Sequence, residues 1–128
     1  MKAFLSYNSK DAVFASALRE SIERDGVRVF DPARDTPPGL DLLARLRNEI
    51  EASDILILVV PETGTAHANA AFFEAGAAKA LGKKVLAVMP DARGRQSPSE
   101  IADLAIFEAA NKPIDDVAKT LVHALEPA

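Results

Sequence analysis

The sequence predicts an α/β domain with a five-stranded parallel sheet and helices on both faces. Short apolar runs alternate along the chain with amphipathic segments of helical period, which is the pattern of a parallel sheet joined by helical crossovers. One run, DILILVV over 54–60, is continuously apolar, as expected of a strand covered on both faces. The length of 128 residues indicates a single domain, 1–128.

The predicted strands are five short apolar runs. In chain order they are KAFLS (2–6), VRVFD (27–31), DILILVV (54–60), KVLAVMP (84–90) and LAIFEA (104–109). A Pro/Gly loop, PARDTPPG (32–39), follows the second strand, and a polar loop over 91–99 follows the fourth.

The predicted helices lie between these strands. In the first, over 11–25, Phe14, Leu18 and Ile22 recur every four residues, and Gly26 ends the helix. The remaining helices are expected over 40–52, from an N-cap at Asn69 to about Leu81, and over 113–125, with a short helix between strands four and five.

Right-handed crossovers leave few topologies for such a chain, and we predict the flavodoxin-like strand order 2-1-3-4-5. In open sheets of this kind, ligands bind beyond the strand C-termini where the strand order reverses, here between strands one and three. Strand one ends at Ser6-Tyr7-Asn8, and the helix after strand three carries Glu74. A site is therefore expected where these residues meet.

Composition and charge argue against several classes of site. The net charge is −4 and the basic residues are scattered, so nucleic acid is not expected as a partner. The chain has no cysteine, and His67 and His123 lie far apart, so neither a disulfide nor a metal site is expected. Lys83-Lys84 and Arg93–Arg95 are interpreted as solvated loops.

The apolar runs indicate a soluble, cytoplasmic protein. The N-terminal segment MKAFLSY lacks the basic region and long apolar run of a signal peptide. The longest apolar run, 55–61, is far shorter than the ~20 residues of a membrane span. No membrane partner is therefore expected.

The stretch NAAFFEAGAAKALGKK (69–84) places a carboxylate on an otherwise apolar helix. The helical neighbours of Glu74 on the same face are alanines, which cannot pair with it. Burial should raise its pKa, unless Glu74 lies at a helix edge and reaches water, which the spacing leaves open. Gly76 is a further irregularity, and it predicts the close approach of another helix or a ligand.

Three stretches together resemble a TIR (Toll/interleukin-1 receptor) domain. FLSYNSKD (4–11) resembles the first box of the family. VFDPARDTPPG (29–39) resembles the second, where Arg34, Asp35, Pro38 and Gly39 match the Arg-Asp-x-x-Pro-Gly core. The third element is the glutamate in the helix after strand three, here Glu74. The resemblance covers nearly the whole chain.

The resemblance implies an NAD+ glycohydrolase of bacterial immune or stress signalling, with Glu74 as the catalytic residue at the ribose that carries nicotinamide. The products would be nicotinamide and either ADP-ribose or a cyclic ADP-ribose isomer. NAD+ is then the substrate, and no cofactor is expected. The implied partners are other copies or other TIR domains, docking through the 32–40 loop, and a separate sensor or effector protein.

Enzymes of this family often carry Trp-Cys-x-x-Glu at the catalytic glutamate, and this chain has Ala-Ala-Phe-Phe-Glu over 70–74. Phe72 and Phe73 are candidates to replace the tryptophan ring, the alternative being ordinary core packing. The candidate substrate-binding residues are Ser6, Tyr7, Asn8, Arg34, Asp35, Asn69 and Phe73. For Asn8 the alternative is N-capping, and for Arg34 it is an exposed loop charge.

Two other functions remain open from the sequence. The first is a non-catalytic TIR adaptor that docks through the 32–40 loop; an open cleft beside Glu74 would favour catalysis over it. The second is a nucleoside 2-deoxyribosyltransferase, because FFEAGAAKALGKKVLAV (72–88) also resembles that family. There too a glutamate acts at an N-glycosidic bond, but the Arg34–Gly39 box has no counterpart.

Overall fold

The computed structural model describes residues 1–35, 42–62, 68–91, 95 and 106–125. The strands are β1 (Lys2–Ser6), β2 (Arg28–Phe30), β3 (Ile55–Val59), β4 (Lys84–Met89) and β5 (Ile106–Glu108). The α-helices are α1 (Ala12–Arg24), α2 (Pro32–Asp35), α3 (Leu42–Ala52), α4 (Ala68–Ala80) and α5 (Ile114–Leu125). A 3-10 turn, Ser9–Asp11, precedes α1.

The five strands form one parallel sheet in the order β2-β1-β3-β4-β5. This confirms the predicted topology. Strand β1 lies between β2 and β3, and its last residue, Ser6, lies opposite Leu58 of β3. The strand order reverses between β1 and β3, so the carboxyl ends of these two strands border the predicted crevice.

Two apolar layers cover the sheet. Helices α1 and α5 pack together on one face, over a cluster that includes Leu5 and Leu18. Helices α3 and α4 cover the other face, over a cluster that includes Phe4 and Leu58. Side chains alternate between the two faces along a strand, so Ser6 lies on the same face as Phe4, beneath α3 and α4.

Three local predictions differ from the structure or fall outside it. The segment Pro32–Asp35 is a short helix rather than loop, because the carbonyl of Asp31 accepts from the backbone N–H of Arg34 and of Asp35. Helix α4 begins at Ala68, so Asn69 lies inside its first turn and is not the N-cap. The short helix predicted between strands four and five, and residues 36–40 of the predicted docking loop, lie outside the described residues.

Gly76 lies on the exposed side of α4, and a Cβ built there meets no atom within 4 Å. The predicted close approach is therefore not made by any part of the chain that the structure describes. We expect Gly76→Ala to raise the free energy of unfolding by roughly 1 kcal/mol, because a mid-helix glycine costs backbone entropy. Urea denaturation measures this. Gly26→Ala is the control and should destabilise, because Gly26 has φ +92°.

Candidate active site

The structure brings two predicted site residues into direct contact. Ser6 ends β1 and is fully buried, and Glu74 is in the second turn of α4, about 9 Å from its first residue at ~1.5 Å per residue. The Ser6 hydroxyl donates a hydrogen bond of 2.7 Å to Oε1 of Glu74. The contact joins residues 68 positions apart in sequence, at the edge of the sheet where ligands of such folds bind.

Burial controls the ionisation of Glu74. It raises the pKa of the carboxyl group, and the hydrogen bond from Ser6 opposes that rise. On the same helix, Ala75 and Ala78 are fully buried against the sheet, so Glu74 lies beside the apolar stripe and is only partly exposed. The direction of the pKa shift agrees with the expectation from the sequence. A carboxylate with a perturbed pKa beside a cleft is a typical functional-site signal.

An open groove of about 830 Å³ runs between α3 and α4, and Glu74 forms part of its wall. Its surface is mainly apolar. The α3 wall consists of Ala44, Leu46, Arg47, Asn48, Ile50 and Glu51. The opposite wall consists of Glu74, Ala77 and Ala80 of α4 and of Leu81, which follows that helix. Because the small side chains of α4 do not fill the space, the groove is large enough for part of a nucleotide-sized ligand.

Tyr7 faces the opposite side of the sheet from Ser6 and packs against the cluster beneath α1 and α5. Its hydroxyl donates a bond of 2.8 Å to Asp31, a buried carboxylate that also accepts from Arg19 at 2.5 Å. Burial, and then the bond to Asp31, raise the pKa of Tyr7 to about 12. The structure therefore assigns Tyr7 to a bond between the ends of β1 and β2, not to the surroundings of Glu74.

Tyr7→Phe tests that assignment. We expect a loss of about 0.5–1.5 kcal/mol in the free energy of unfolding, because Asp31 keeps its bond from Arg19. Turnover should stay close to that of the wild type, since the hydroxyl points away from Glu74. Thermal or urea unfolding and an activity assay measure the two effects. A tenfold fall in turnover by a folded variant would return Tyr7 to the substrate site.

Asn8 is a capping residue in the structure. It is 3% exposed, and its side-chain oxygen accepts from the backbone N–H of Lys10 at 3.1 Å. This bond caps the 3-10 turn that leads into α1. Asn8 therefore acts as a capping residue at the 3-10 turn and not at α1 itself, whose N-cap residue is Asp11.

Arg34 and Asp35 are bonded within their own part of the chain and do not line the groove beside Glu74. Arg34 donates to Asp35 at 2.8 Å, to Glu23 at 2.9 Å and to the carbonyl of Val29 at 2.7 Å. The bonds to Asp35 and then Glu23 raise the pKa of Arg34. Burial alone would raise the pKa of Asp35, but the bonds from Arg34 and from the backbone of Asp31 lower it.

The positions of Asn69 and Phe73 are known from the backbone of α4. Asn69 lies in the first turn of this helix, and Phe73 lies in the second turn, directly before Glu74. Their side chains lie outside the described residues, as does His67. Their predicted contact with substrate therefore stays a prediction.

The sequence interpretation missed a buried ion pair at the same edge of the sheet. The Arg95 side chain is 2% exposed, which corrects its assignment to a solvated loop. It donates to both oxygens of Asp11, at 2.9 and 3.0 Å, and to the carbonyl of Val60 at 2.5 Å. It also bonds Asp91 at 3.1 Å and lies 3.7 Å from Glu62.

Burial alone would lower the pKa of Arg95, but the bonds to Asp11 and Asp91 raise it above its ordinary value. The cluster joins the segments that follow β1, β3 and β4. No spacing in the sequence signals it, because Asp11 and Arg95 are 84 positions apart.

The fold and this site define the chain as a flavodoxin-like α/β domain with a partly buried carboxylate at the reversal of strand order. The TIR domain family model matches residues 3–124, and the chain belongs to that family. TIR domains take part in NAD-related signalling or catalysis and commonly self-associate or act with other proteins. No curated protein sequence matches the chain.

Several solved structures share the fold at low sequence identity. A 2-deoxyribosyltransferase from Bacillus psychrosaccharolyticus is 20% identical with a TM-score of 0.69, and the match covers 92% of this chain and 90% of that one. The CMP N-glycosidase BcmB of Clostridium botulinum is 16% identical with a TM-score of 0.62, over 95% and 99%. A diflavin flavoprotein A3 from Nostoc is 14% identical with a TM-score of 0.57, over 97% and 86%.

These likenesses show the fold alone, since each identity is low. Within the described ranges, none of the helices has the length and apolar character that crossing a bilayer requires.

Proposed function

We propose that this protein cleaves the bond between nicotinamide and ribose in NAD+, with Glu74 as the catalytic residue. The observation that carries the proposal is the Glu74 carboxyl group: its pKa is raised, Ser6 holds it at 2.7 Å, and it borders an open groove. Membership of the TIR family supports NAD+ as the substrate. The fold shared with an N-glycosidase is compatible with cleavage of an N-glycosidic bond.

A single carboxylate is sufficient for this reaction. As the bond between C1 of the ribose and the pyridinium nitrogen breaks, its electron pair goes to the nitrogen and positive charge develops on the ribose. An ionised Glu74 beside C1 stabilises that charge. Nicotinamide leaves as a neutral molecule, so it needs no proton donor, unlike the leaving group of ordinary glycosidases.

The attacking group decides the product. Attack of water at C1 gives ADP-ribose and releases one proton to solvent. Attack by the adenine end of the same molecule gives a cyclic ADP-ribose isomer, and no water is consumed. The mainly apolar walls of the groove favour the binding of a flat ring.

A 2-deoxyribosyltransferase-like activity is the second candidate. The observation in its favour is that the likeness to the 2-deoxyribosyltransferase covers nine-tenths of both chains. It would place the same Glu74 carboxylate at C1 of a deoxyribose. The TIR family match over 3–124 favours NAD+ instead.

A non-catalytic adaptor is the third candidate, and the open groove beside Glu74 argues against it.

We propose that the protein self-associates, or docks with other TIR domains, through the 32–40 loop, and that it acts in the cytoplasm in bacterial immune or stress signalling. A separate sensor or effector protein would then supply its trigger or target.

Incubating concentrated protein and a crowding agent with NAD+, and in parallel with a deoxynucleoside and a second base, separates these candidates. Chromatography and mass spectrometry identify the products. Loss of NAD+ with release of nicotinamide supports the proposal, and mass and retention distinguish ADP-ribose from a cyclic isomer. Base exchange on the deoxynucleoside alone would establish the second candidate. No turnover of either substrate at any protein concentration would favour the adaptor.

A further inference from the structure

Ser6, at the end of β1, donates a hydrogen bond to Glu74 but is not part of the groove wall. Ser6 is fully buried, and it is absent from the residues that line the groove, whereas Glu74 is among them. We propose that Ser6 is a positioning residue, whose hydroxyl holds Oε1 of Glu74 against the sheet edge and leaves Oε2 to face the ribose of the substrate. The identity of the substrate rests on the proposed function, whereas the hydrogen bond between the side chains of Ser6 and Glu74 does not.

The Ser6 hydroxyl is the polar contact that the described strands make with Glu74. The other strand residues beneath α3 and α4 include Lys2, which pairs with Glu49 at 2.6 Å, and an apolar set on β1, β3 and β4: Phe4, Leu56, Leu58, Val85, Ala87 and Met89. Among the described residues, the charged groups that share the groove with Glu74 come from α3. They are Arg47 and Glu51, which pair with each other at 3.6 Å.

A hydroxyl donor at this position has two physical effects on the carboxyl group. It favours the ionised form, because the bond is stronger to a charged acceptor than to a neutral one. It also restricts rotation of the side chain, so that the two oxygens keep distinct environments. A carboxylate held in one orientation stabilises a developing charge without reorganising during the reaction.

Ser6→Ala is the central variant of the test, and Ser21→Ala is its matched control. Ser21 is also buried, and its hydroxyl donates to the carboxylate of Asp115 at 2.6 Å, on the opposite face of the sheet. The titration of the Glu74 carboxyl carbon is followed by NMR on 13C-labelled protein, with Glu74→Gln used for assignment. This readout needs no substrate.

We expect the titration midpoint of Glu74 to rise in Ser6→Ala and to stay unchanged in Ser21→Ala. A midpoint that does not rise in folded Ser6→Ala, or that rises equally in Ser21→Ala, would overturn the proposal. If Ser6→Ala does not fold, Ser6→Cys replaces it, because a thiol has similar volume and is a weaker donor. The midpoint should then rise as well, and an unchanged value overturns the proposal.

Kinetics with NAD+ separate positioning from substrate contact. We expect kcat of Ser6→Ala to fall roughly 10- to 100-fold because the reacting oxygen is misplaced, with KM within about twofold and the acid limb of the pH profile moved to higher pH. A rise in KM with an unchanged pH profile would make Ser6 a substrate contact instead. If the NMR shift is found but wild-type protein turns over no NAD+, the positioning role stands and the proposed function fails.

Discussion

Glu74→Gln is expected to abolish NAD+ cleavage and to make the folded protein more stable at neutral pH. Glutamine has nearly the same shape, and its amide oxygen can accept the bond that Oε1 now accepts from Ser6 at 2.7 Å. It carries no charge, so the stabilisation of the ribosyl cation is lost. We expect kcat to fall at least about 10²- to 10³-fold, the scale found when one preorganised electrostatic contact is removed.

The gain in stability follows from the raised pKa of Glu74. The folded state binds a proton at this site more tightly than the unfolded chain does. Its contribution to stability is therefore fully present below the unfolded pKa and is lost as pH rises through the folded pKa. Glutamine avoids the cost of a partly buried charge, so the advantage of the variant should be largest above the folded pKa and disappear in acid.

The activity of the wild type should rise with pH, whereas the contribution of Glu74 to stability falls as pH rises. The ionised carboxylate is the active form, so turnover should fall as pH drops through the raised pKa of Glu74. Urea unfolding of wild type and Glu74→Gln at several pH values measures the stability difference, and an NAD+ assay over the same range measures the acid limb.

Glu51→Gln is the matched control, because Glu51 lines the same groove from α3 but is about half exposed and paired with Arg47. Glu51→Gln should leave the stability and the pH of the acid limb close to those of the wild type. Wild-type turnover by folded Glu74→Gln would contradict the catalytic assignment. If Glu74→Gln is less stable than the wild type both at neutral pH and in acid, that result would contradict the electrostatic account.

Arg95→Ala is expected to cost about 3–5 kcal/mol of unfolding free energy, the loss typical when one partner of a buried ion pair is removed. The side chain is 2% exposed, and its removal leaves the carboxylate of Asp11 and the carbonyl of Val60 without a donor they now use. The cost should change little with salt, because buried charges are poorly screened. Urea unfolding at low and high salt measures both effects.

Arg47→Ala is the control for a surface arginine. Its pair with Glu51 is exposed, and the expected cost is about 0–0.5 kcal/mol. A double-mutant cycle of Arg95→Ala with Asp11→Asn should give a coupling energy of roughly 0.5–3 kcal/mol. A loss below about 1 kcal/mol for Arg95→Ala, with no coupling to Asp11, would show that the cluster is not a stabilising contact.

Much of the fold could be predicted because its signals are local. The apolar runs and four-residue spacings depend on strand and helix period, and they placed each strand within two residues at either end. Right-handed crossovers leave few strand orders, and the predicted order 2-1-3-4-5 is one of them. Together these rules place Ser6 and Glu74 at one edge of the sheet from the sequence alone.

The roles of Tyr7, Arg34 and Arg95 could not be predicted in this way. Tyr7 and Ser6 are neighbours in sequence, and the alternation of a strand places them on opposite faces. Their partners, Asp31 for Tyr7 and Glu74 for Ser6, are far apart in the chain and are shown by the structure alone. Arg34 carries the family motif, yet its observed partners include Glu23 and the carbonyl of Val29.

The sequence by itself determined the architecture, the family boxes and the single carboxylate on an apolar helix. Only the tertiary structure decided which polar groups pair, because hydrogen bonds and ion pairs depend on distances of about 3 Å between residues far apart in the chain. The pairing of Asp11 with Arg95 and of Ser6 with Glu74 spans 84 and 68 positions. Periodicity places such residues at one edge of a sheet, but packing selects the partners.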